Sequence, residues 1–428
     1  MDKNKRDQII SLIKREVVPA LGCTEPAAVA LCVAKAKEIL GEVPAKIEVG
    51  LSGNMLKNAM GVGIPGTGMI GLPIAIAMGA LIGKSEYGLE VLKNTNQDAV
   101  EKGKKYISEQ RISIKHITDS PSILHIDVVC SNEKGNTAQA IISGSHTNFI
   151  LIKKDDEILM NASKKAESND EGSVEDPVLD LAMVYEFATT APLEEIEFIL
   201  EAKRLNKAAA ELAFENSYGH SLGATMKKKG KTLFGDSPLA HIISYTSAAC
   251  DARMGGAQVA VMSNSGSGNQ GICATMPVVA YAEDISASEE ELARALILSH
   301  LTSIYIKQSL GRLSALCGCV VASTGASSGI VYLMGGGFEQ VSSAVKNMIA
   351  NITGVICDGA KPSCSLKISS GVGTALMSAM LAMESKCVTE AEGIICDDVD
   401  KSIHNLTTIG RDAMQATDRL VLHIMTNK

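Results

Sequence analysis

Residues 111–154 have the sequence RISIKHITDSPSILHIDVVCSNEKGNTAQAIISGSHTNFILIKK. Apolar and polar residues alternate in four runs of this stretch, and a period of two is typical of half-buried strands. The turn-forming run from Ser131 to Gly135 separates two of these runs as in a hairpin. KIEVGLS at 46–52 alternates in the same way, and EILMNAS at 157–163 adds a further candidate strand. The sequence therefore predicts a mixed, largely antiparallel sheet.

Helical patterns flank this sheet region on both sides. Apolar spacing predicts one helix over 5–16 and a second that starts at Thr24 as N-cap, has Pro26 in its first turn and ends at Gly41. Downstream of the sheet the pattern is helical almost to the end of the chain, with Gly-rich breaks. The predicted fold class is α+β, a mostly helical catalytic domain plus a smaller mixed α/β domain with a largely antiparallel sheet.

The chain of 428 residues exceeds the size at which one core usually stops growing, so two domains are expected. We predict N-terminal helices over 1–42 that pack with the catalytic domain, an α/β domain over 43–176 and the helical domain over 177–428. The polar run SKKAESNDEGSVED at 163–176 is the predicted linker.

The formal net charge of −8 argues against nucleic acid and anionic membranes as partners. The N-terminal stretch is charged and amphipathic, and no sequence window reaches the roughly 18 apolar residues of a spanning helix. We expect a cytoplasmic protein with a small-molecule partner. Its low aromatic content and long apolar helices would suit a homodimer.

Eleven cysteines without an export signal do not indicate a disulfide framework, because a reducing cytosol keeps thiols free. Cys32, Cys130, Cys250 and Cys387 lie in apolar runs, where cysteine behaves as a small hydrophobe. We interpret these four as structural.

Cys23 lies in LGCTEP, just before the predicted start of the second helix. The partial positive charge of a helix N-terminus favours the thiolate, which is the form that binds metals or attacks electrophiles. The pattern alone leaves burial as an alternative explanation.

A second group of thiols occupies the C-terminal third. ALCGCVVASTG at 315–325 contains Cys317 and Cys319, and GVICDGAKPSCS at 354–365 contains Cys357 and Cys364. Six loop-forming residues separate the last two, which suits a segment that wraps an iron–sulfur cluster. Zinc is the main competing metal, although its sites usually pair cysteines two to four residues apart.

Seven motifs in the same order resemble the L-cysteine desulfidases, also called the serine dehydratase-like alpha-chain family, over nearly the whole chain. They are LGCTEPAAVAL, IPGTGMIGLP, SGSHTN, TSAACDARMGG, MSNSGSGNQGICATMPV, RLSALCGC and ICDGAKPSC. The resemblance implies a 4Fe-4S cluster with one open iron, held by Cys317, Cys357 and Cys364. Cys319 is the alternative to Cys317, and Cys23 is either a displaceable fourth ligand or a catalytic thiol.

The activity that this resemblance implies is β-elimination from L-cysteine, which yields sulfide, ammonia and pyruvate. L-serine dehydratase activity with the same cluster chemistry is the alternative. A C-terminal cysteine can reach the active site in the serine enzymes, and the HIMTNK end of this chain contains none.

His146 in SGSHTN is the first candidate for the general base, with His220 and His300 as weaker candidates. The run NSGSGNQG at 264–271 offers backbone amides and the side chains of Ser265, Ser267, Asn269 and Gln270 to a carboxylate. Arg253 is a second carboxylate partner because its planar fork matches that group. Lys57 and Asn58 are candidate pocket residues.

Two other classes compete with this interpretation. A pyridoxal phosphate lyase would carry out the same net reaction, although no motif frames its lysine. A non-catalytic thiol or metal-binding protein would not require a His and an anion-binding loop beside the cysteines, and here all three kinds of motif occur together.

Overall fold

A computed structural model describes residues 1–120, 122–162, 176–311 and 314–427. Its strands are β1 (Pro19–Leu21), β2 (Lys46–Leu51), β3 (Ile112–His116), β4 (His125–Ser131), β5 (Thr137–Ser143), β6 (Phe149–Lys154), β7 (Glu157–Asn161) and β8 (Ala260–Met262). Six of these strands form one sheet in the order β3-β2-β4-β5-β6-β7, in which β2 and β3 are parallel and the other pairs antiparallel. The predicted mixed, largely antiparallel sheet is confirmed. A separate antiparallel pair, β1 with β8, was not predicted.

Helices make up most of the remaining described chain. They are α1 (Lys3–Glu16), α2 (Thr24–Leu40), α3 (Gly53–Ala59), α4 (Leu72–Leu81), α5 (Gln97–Ser108), α6 (Leu181–Thr190), α7 (Leu193–Ile196), α8 (Leu200–Glu215), α9 (Leu222–Thr225), α10 (Lys231–Phe234), α11 (Pro238–Met254), α12 (Gly268–Asp284), α13 (Glu289–Leu310), α14 (Gly318–Leu333), α15 (Phe338–Ile352), α16 (Cys364–Met383), α17 (Val399–Thr408) and α18 (Gln415–Thr426). Together with the sheet they confirm the α+β class.

The sheet and the first helices form one layer of the molecule. Strand β2 alternates between buried and more exposed residues, and its buried residues Ile47, Val49 and Leu51 face the core. Helix α2 packs on β4, β5 and α4, whereas α1 contacts α13. Of the two N-terminal helices, α2 therefore belongs to the sheet layer rather than to the helical region, and the boundaries at 42 and 176 stay predictions. Residues 163–175 of the predicted linker lie outside the described residues.

The helical region is centred on α14, which packs against α12, α13, α15 and α16. Two glycines allow its close approach to α13. A Cβ on Gly325 would lie 2.2 Å from the backbone oxygen of Ser299, and one on Gly329 would lie 2.7 Å from that of Ala295. This approach fixes the start of α14, where two of the candidate thiols lie.

The start of α2 differs from the prediction by one residue. Cys23, not Thr24, is the N-cap residue, and Thr24 is the first helical residue. Pro26 lies in the first turn as predicted, and Gly41 ends the helix with φ of +89°. Helix α3 was not predicted from the sequence.

Helix α16 is, in the part of the chain that the structure describes, the one helix long and apolar enough to cross a membrane. Within its most apolar window, 56% of the residues are buried inside the protein. Such burial is typical of a core helix.

Candidate active site

All of the predicted site residues except the weaker base candidates His220 and His300 line one cavity of about 160 Å³. The cavity brings together Cys23, Lys57, Asn58, His146, Arg253, Ser265, Ser267, Asn269, Gln270, Cys317, Cys319, Cys357 and Cys364. Their roles stay predictions. Two larger cavities, of about 570 and 580 Å³, adjoin it through Ser265 and Lys57, and neither has a cysteine among its described lining residues.

One side of the cavity, the thiol wall, consists of residues 314–319 and 356–364. Two extended segments pair here: the backbone N–H of Cys317 donates to the Val355 oxygen at 3.0 Å, and that of Cys357 donates to the Ala315 oxygen at 2.7 Å. Cys317 is the N-cap residue of α14, and Cys364 is the first residue of α16. Two of the three predicted ligands thus lie at helix N-termini, where the backbone favours negative charge.

Burial is the largest cause that raises the pKa of Cys357 and Cys364, whereas the neighbouring Cys319, followed by burial, raises the pKa of Cys317. Burial raises the pKa of Cys364 to about 11, and the neighbouring Cys357 and Cys317 add to this effect. Lysines oppose it, because Lys57 and Lys367 lower the pKa of Cys357. The thiol wall therefore has three thiols that line one cavity, and nearby lysines would compensate their negative charge.

Cys319 also lines the cavity, and the neighbouring Cys273 raises the pKa of its thiol. Cys273 belongs to α12 and is fully buried. The backbone pairing with the Cys357 segment involves Cys317 itself. This pairing favours Cys317 over Cys319 as the partner of Cys357.

The opposite side, the polar wall, consists of residues 23–25, 54–58 and 144–146. Cys23 is buried, and its thiol donates a hydrogen bond to Glu25 Oε2 at 2.8 Å. Burial, and next the charge of Glu25, raise the pKa of Cys23 well above its ordinary value. The prediction that Cys23 is a thiolate is therefore wrong for the protein without a bound group. Desolvation raises the pKa of this thiol more than the helix N-terminus lowers it.

Glu25 is the functional candidate that the sequence interpretation missed. Its carboxylate is 8% exposed and also accepts hydrogen bonds from Thr24 Oγ1 and Asn58 Nδ2, both at 3.2 Å. Burial alone would raise its pKa, but the charge of His146 and the hydrogen bond from Cys23 bring the pKa below its ordinary value. The available signal was a carboxylate two residues after a candidate cysteine in an otherwise apolar helix start.

The three histidines have different positions. His146 lies between β5 and β6 and lines the cavity. His220 lies outside the cavity and near Asp251. His300 is fully buried in α13, where burial lowers its pKa to about 3. The structure thus places His146, the first candidate, at the cavity.

Arg253 and the start of α12 form the floor of the cavity. Arg253 is 3% exposed, and its Nη1 donates to Asn269 Oδ1 at 3.0 Å. Its Nε and the Oε1 of Gln270 are buried, and neither has a hydrogen-bond partner among the described residues. A Cβ on Gly268 would lie 2.2 Å from Arg253 Nε, so this position requires glycine.

Two details of the floor differ from the sequence interpretation. The oxygen of Asn269 is occupied by Arg253 and by the thiol of Cys250, at 3.7 Å, rather than being free for a ligand. Cys250 was interpreted as a simple core residue, and this contact places it directly behind the floor.

Lys57 is among the largest fully buried side chains of the protein and is 2% exposed. Its ammonium group forms an ion pair with Asp418 of α18, the last helix. The adjacent Asn58 donates to Glu25. Lys57 thus brings a buried positive charge to the junction of the two walls.

No group of three or more His, Cys, Asp or Glu side chains, among the residues that the structure describes, is placed to hold a single metal ion. A cluster makes a different demand, because each thiolate binds a separate iron of a larger body. Three thiols on one wall, two helix N-termini and nearby lysines fit such a group in their chemistry. The unpartnered Arg253 Nε and Gln270 Oε1 across the cavity also leave polar groups free for a ligand.

Residues 86–423 match the family described as "Serine dehydratase alpha chain". The chain therefore belongs to the serine dehydratase alpha-chain family, and this membership indicates a lyase-type enzyme. It is also similar to proteins named "UPF0597 protein". That of Phocaeicola vulgatus is 64% identical, over 100% of this chain and 99% of its own length. Those of Bacteroides fragilis and Oleidesulfovibrio alaskensis are 63% and 47% identical over the full length of both chains. The predicted family is confirmed, whereas the relatives' names state neither substrate nor cofactor.

Proposed function

We propose that this protein is an iron–sulfur lyase that converts L-cysteine to sulfide, ammonia and pyruvate. The observation that carries the proposal is that Cys317, Cys357 and Cys364 meet in one cavity with a buried arginine and a helix N-terminus. Membership of a dehydratase family supports elimination as the reaction class. We expect the enzyme to act in the cytoplasm on a small amino acid, as a homodimer.

Cys317, Cys357 and Cys364 would hold the 4Fe-4S cluster, with Cys319 as the alternative to Cys317. When bound, such a cluster with an iron free of cysteine supplies a Lewis acid for the carboxylate or the leaving group of the substrate. Cys23, on the polar wall, is then either a fourth ligand that the substrate displaces or a catalytic thiol.

The floor of the cavity binds the substrate carboxylate in this proposal. The Arg253 guanidinium is buried with its Nε unpartnered among the described residues, and a planar fork suits a carboxylate. Ser267 caps α12, so the backbone amides of the first turn point toward the cavity with a favourable dipole. Lys57 adds a positive charge at one side.

The polar wall handles protons. His146 takes the proton from the α-carbon, and Glu25 accepts the hydrogen bond of the Cys23 thiol and so orients that thiol. Loss of this proton forms the Cα=Cβ bond as the Cβ–S bond breaks. The aminoacrylate that leaves the site hydrolyses spontaneously to pyruvate and ammonia.

The test is anaerobic reconstitution with iron and sulfide, followed by assay of sulfide and pyruvate from L-cysteine and of pyruvate from L-serine. We expect a brown protein that air bleaches and that prefers L-cysteine. A preference for L-serine would favour the dehydratase alternative. A yellow, air-stable enzyme would favour pyridoxal phosphate, and a cluster without turnover of either amino acid would favour a non-catalytic thiol protein.

A further inference from the structure

We propose that His300 is a positioning residue for the substrate carboxylate, because it holds Asn264 and thereby the turn that places Ser267 at the cavity. The identity of the ligand rests on the proposed function. The hydrogen bonds that lead from His300 to the cavity do not depend on that function.

The turn at 264–267 has a backbone that its sequence does not favour. The N–H of Asn264 donates to the Ser267 oxygen at 3.1 Å, and the N–H of Ser267 donates to the Asn264 oxygen at 3.0 Å. Between them, Ser265 has φ of +48° and Gly266 has φ of +78°, as in a type I′ turn. Since a left-handed conformation is unfavourable for serine, contacts outside the turn must hold it.

The side chain of Asn264 provides one set of these contacts, beside the Glu16 oxygen that accepts from the Ser265 N–H at 2.9 Å. It is fully buried, and its Oδ1 accepts a hydrogen bond from Ser265 Oγ at 2.8 Å. Its Nδ2 donates to both Nδ1 and the backbone oxygen of His300, each at 3.1 Å. Asn264 therefore links the strained serine to α13.

The hydrogen bonds around His300 fix which ring nitrogen carries the proton. The hydroxyl of Thr275 donates to the Gly271 oxygen at 2.7 Å, so its oxygen is left to accept from His300 Nε2 at 2.9 Å. Nδ1 is then the acceptor that Asn264 requires. A neutral ring with its proton on Nε2 thus ties the turn to the first turns of α12.

The two ring nitrogens can be tested separately. In His300→Asn the side-chain amide lies where Nδ1 was, and its oxygen can accept from Asn264. In His300→Gln the amide lies where Nε2 was, and its nitrogen keeps only the hydrogen bond to Thr275. We expect His300→Gln to raise the KM for L-cysteine about tenfold with kcat within about twofold of wild type, since a buried donor on Asn264 is left unpaired. His300→Asn should keep the KM within about twofold or threefold.

Iron content and melting temperature provide the controls for general damage. Equal KM values in the two variants, or a loss confined to kcat, would overturn the inference. If neither variant folds, Thr275→Val, which removes the acceptor for Nε2, should raise the KM about threefold, and Thr275→Ser should not. No difference between that pair would also overturn it.

A second measurement separates this inference from the proposed function. Calorimetry of the intact reconstituted protein with L-alanine tests carboxylate binding without any leaving group. If wild type binds L-alanine but does not consume L-cysteine, the proposed function fails and the inference is judged on this binding, which His300→Gln should weaken about tenfold. Equal L-alanine affinity in wild type and His300→Gln would overturn the inference.

Discussion

The thiol wall and the polar wall face the same cavity but are stabilised differently. On the thiol wall, backbone hydrogen bonds from Cys317 and Cys357 join two extended segments, and helices begin at Cys317 and Cys364. On the polar wall, side chains bind side chains, with Glu25 accepting from Cys23, Thr24 and Asn58. In the proposed function, a wall set by the backbone would keep metal ligands in place, and a wall set by side chains would exchange protons and hydrogen bonds with the substrate.

The largest effect should follow from a change on the thiol wall. Cys357→Ser removes one of the three thiols, and we expect activity with L-cysteine to fall by about a hundredfold or more because the cluster loses a ligand. The measurement is sulfide release by the anaerobically reconstituted protein. Cys387→Ser is the matched control, since that thiol bonds only the backbone oxygens of Ser343 and Val388 in the described structure. Equal activity of both variants would show that the thiol wall holds no group that the reaction needs.

A change on the polar wall should affect turnover without loss of the cluster. Glu25→Gln keeps the size of the side chain but removes the charge that accepts from Cys23, and we expect kcat to fall about a hundredfold. The visible spectrum and the iron content should stay as in wild type. Loss of iron in this variant would mean that the polar wall also holds the cluster.

The floor between the walls should affect mainly substrate binding. Arg253→Lys replaces a planar fork by a point charge, and we expect the KM for L-cysteine to rise about tenfold. Gly268→Ala should act in the same direction, because its Cβ would displace Arg253. Steady-state kinetics on both variants provide the check. An unchanged KM in Arg253→Lys would show that the carboxylate binds elsewhere.

The link to the last helix should affect stability more than chemistry. Asp418→Asn leaves the buried Lys57 ammonium without its charged partner, and we expect a loss of about 2 kcal/mol in the free energy of unfolding. Denaturant unfolding of the intact protein gives this value. The surface variant Asp98→Asn, which breaks an exposed pair with Lys102, should lose less than about 0.5 kcal/mol. Similar losses in both would show that Lys57 is not held by this ion pair.

The smallest effect is a pH dependence of stability that results from protonation of His300, behind the floor. The pKa of His300 in the folded protein, about 3, lies below its ordinary value of 6.5. The unfolded chain therefore binds a proton first, and this contribution to stability begins to be lost as the pH falls below about 6.5. Between pH 6 and 5 wild type should lose about 1.2 kcal/mol more than His300→Asn. Parallel curves would show that His300 is accessible to protons in the folded state.

Sequence patterns predicted the thiol wall better than the polar wall. Cys317, Cys357 and Cys364 could be identified because the motifs around them are local and resemble a family. The alternating strands were predictable for a similar reason, since burial on one face leaves a period of two in the sequence. The short helix α3 was not, because its seven residues are too few to show a helical period in the sequence.

The role of Glu25 could not be predicted, because it depends on Asn58 and His146 arriving from other segments. The state of Cys23 was mispredicted for a related reason. A sequence shows that a helix begins after Cys23, but not how deeply the thiol is buried, and desolvation decides its pKa. The bonds of Asn269 and Cys250 were likewise visible only in three dimensions.

The most direct test of the central claim is the iron and sulfide content after anaerobic reconstitution, measured with the visible and Mössbauer spectra. Wild type and Cys319→Ser should each bind about four iron and four sulfide per chain, and Cys317→Ser, Cys357→Ser and Cys364→Ser should each bind far less. A wild-type protein that takes up no cluster, or three serine variants that all keep a full one, would contradict the account.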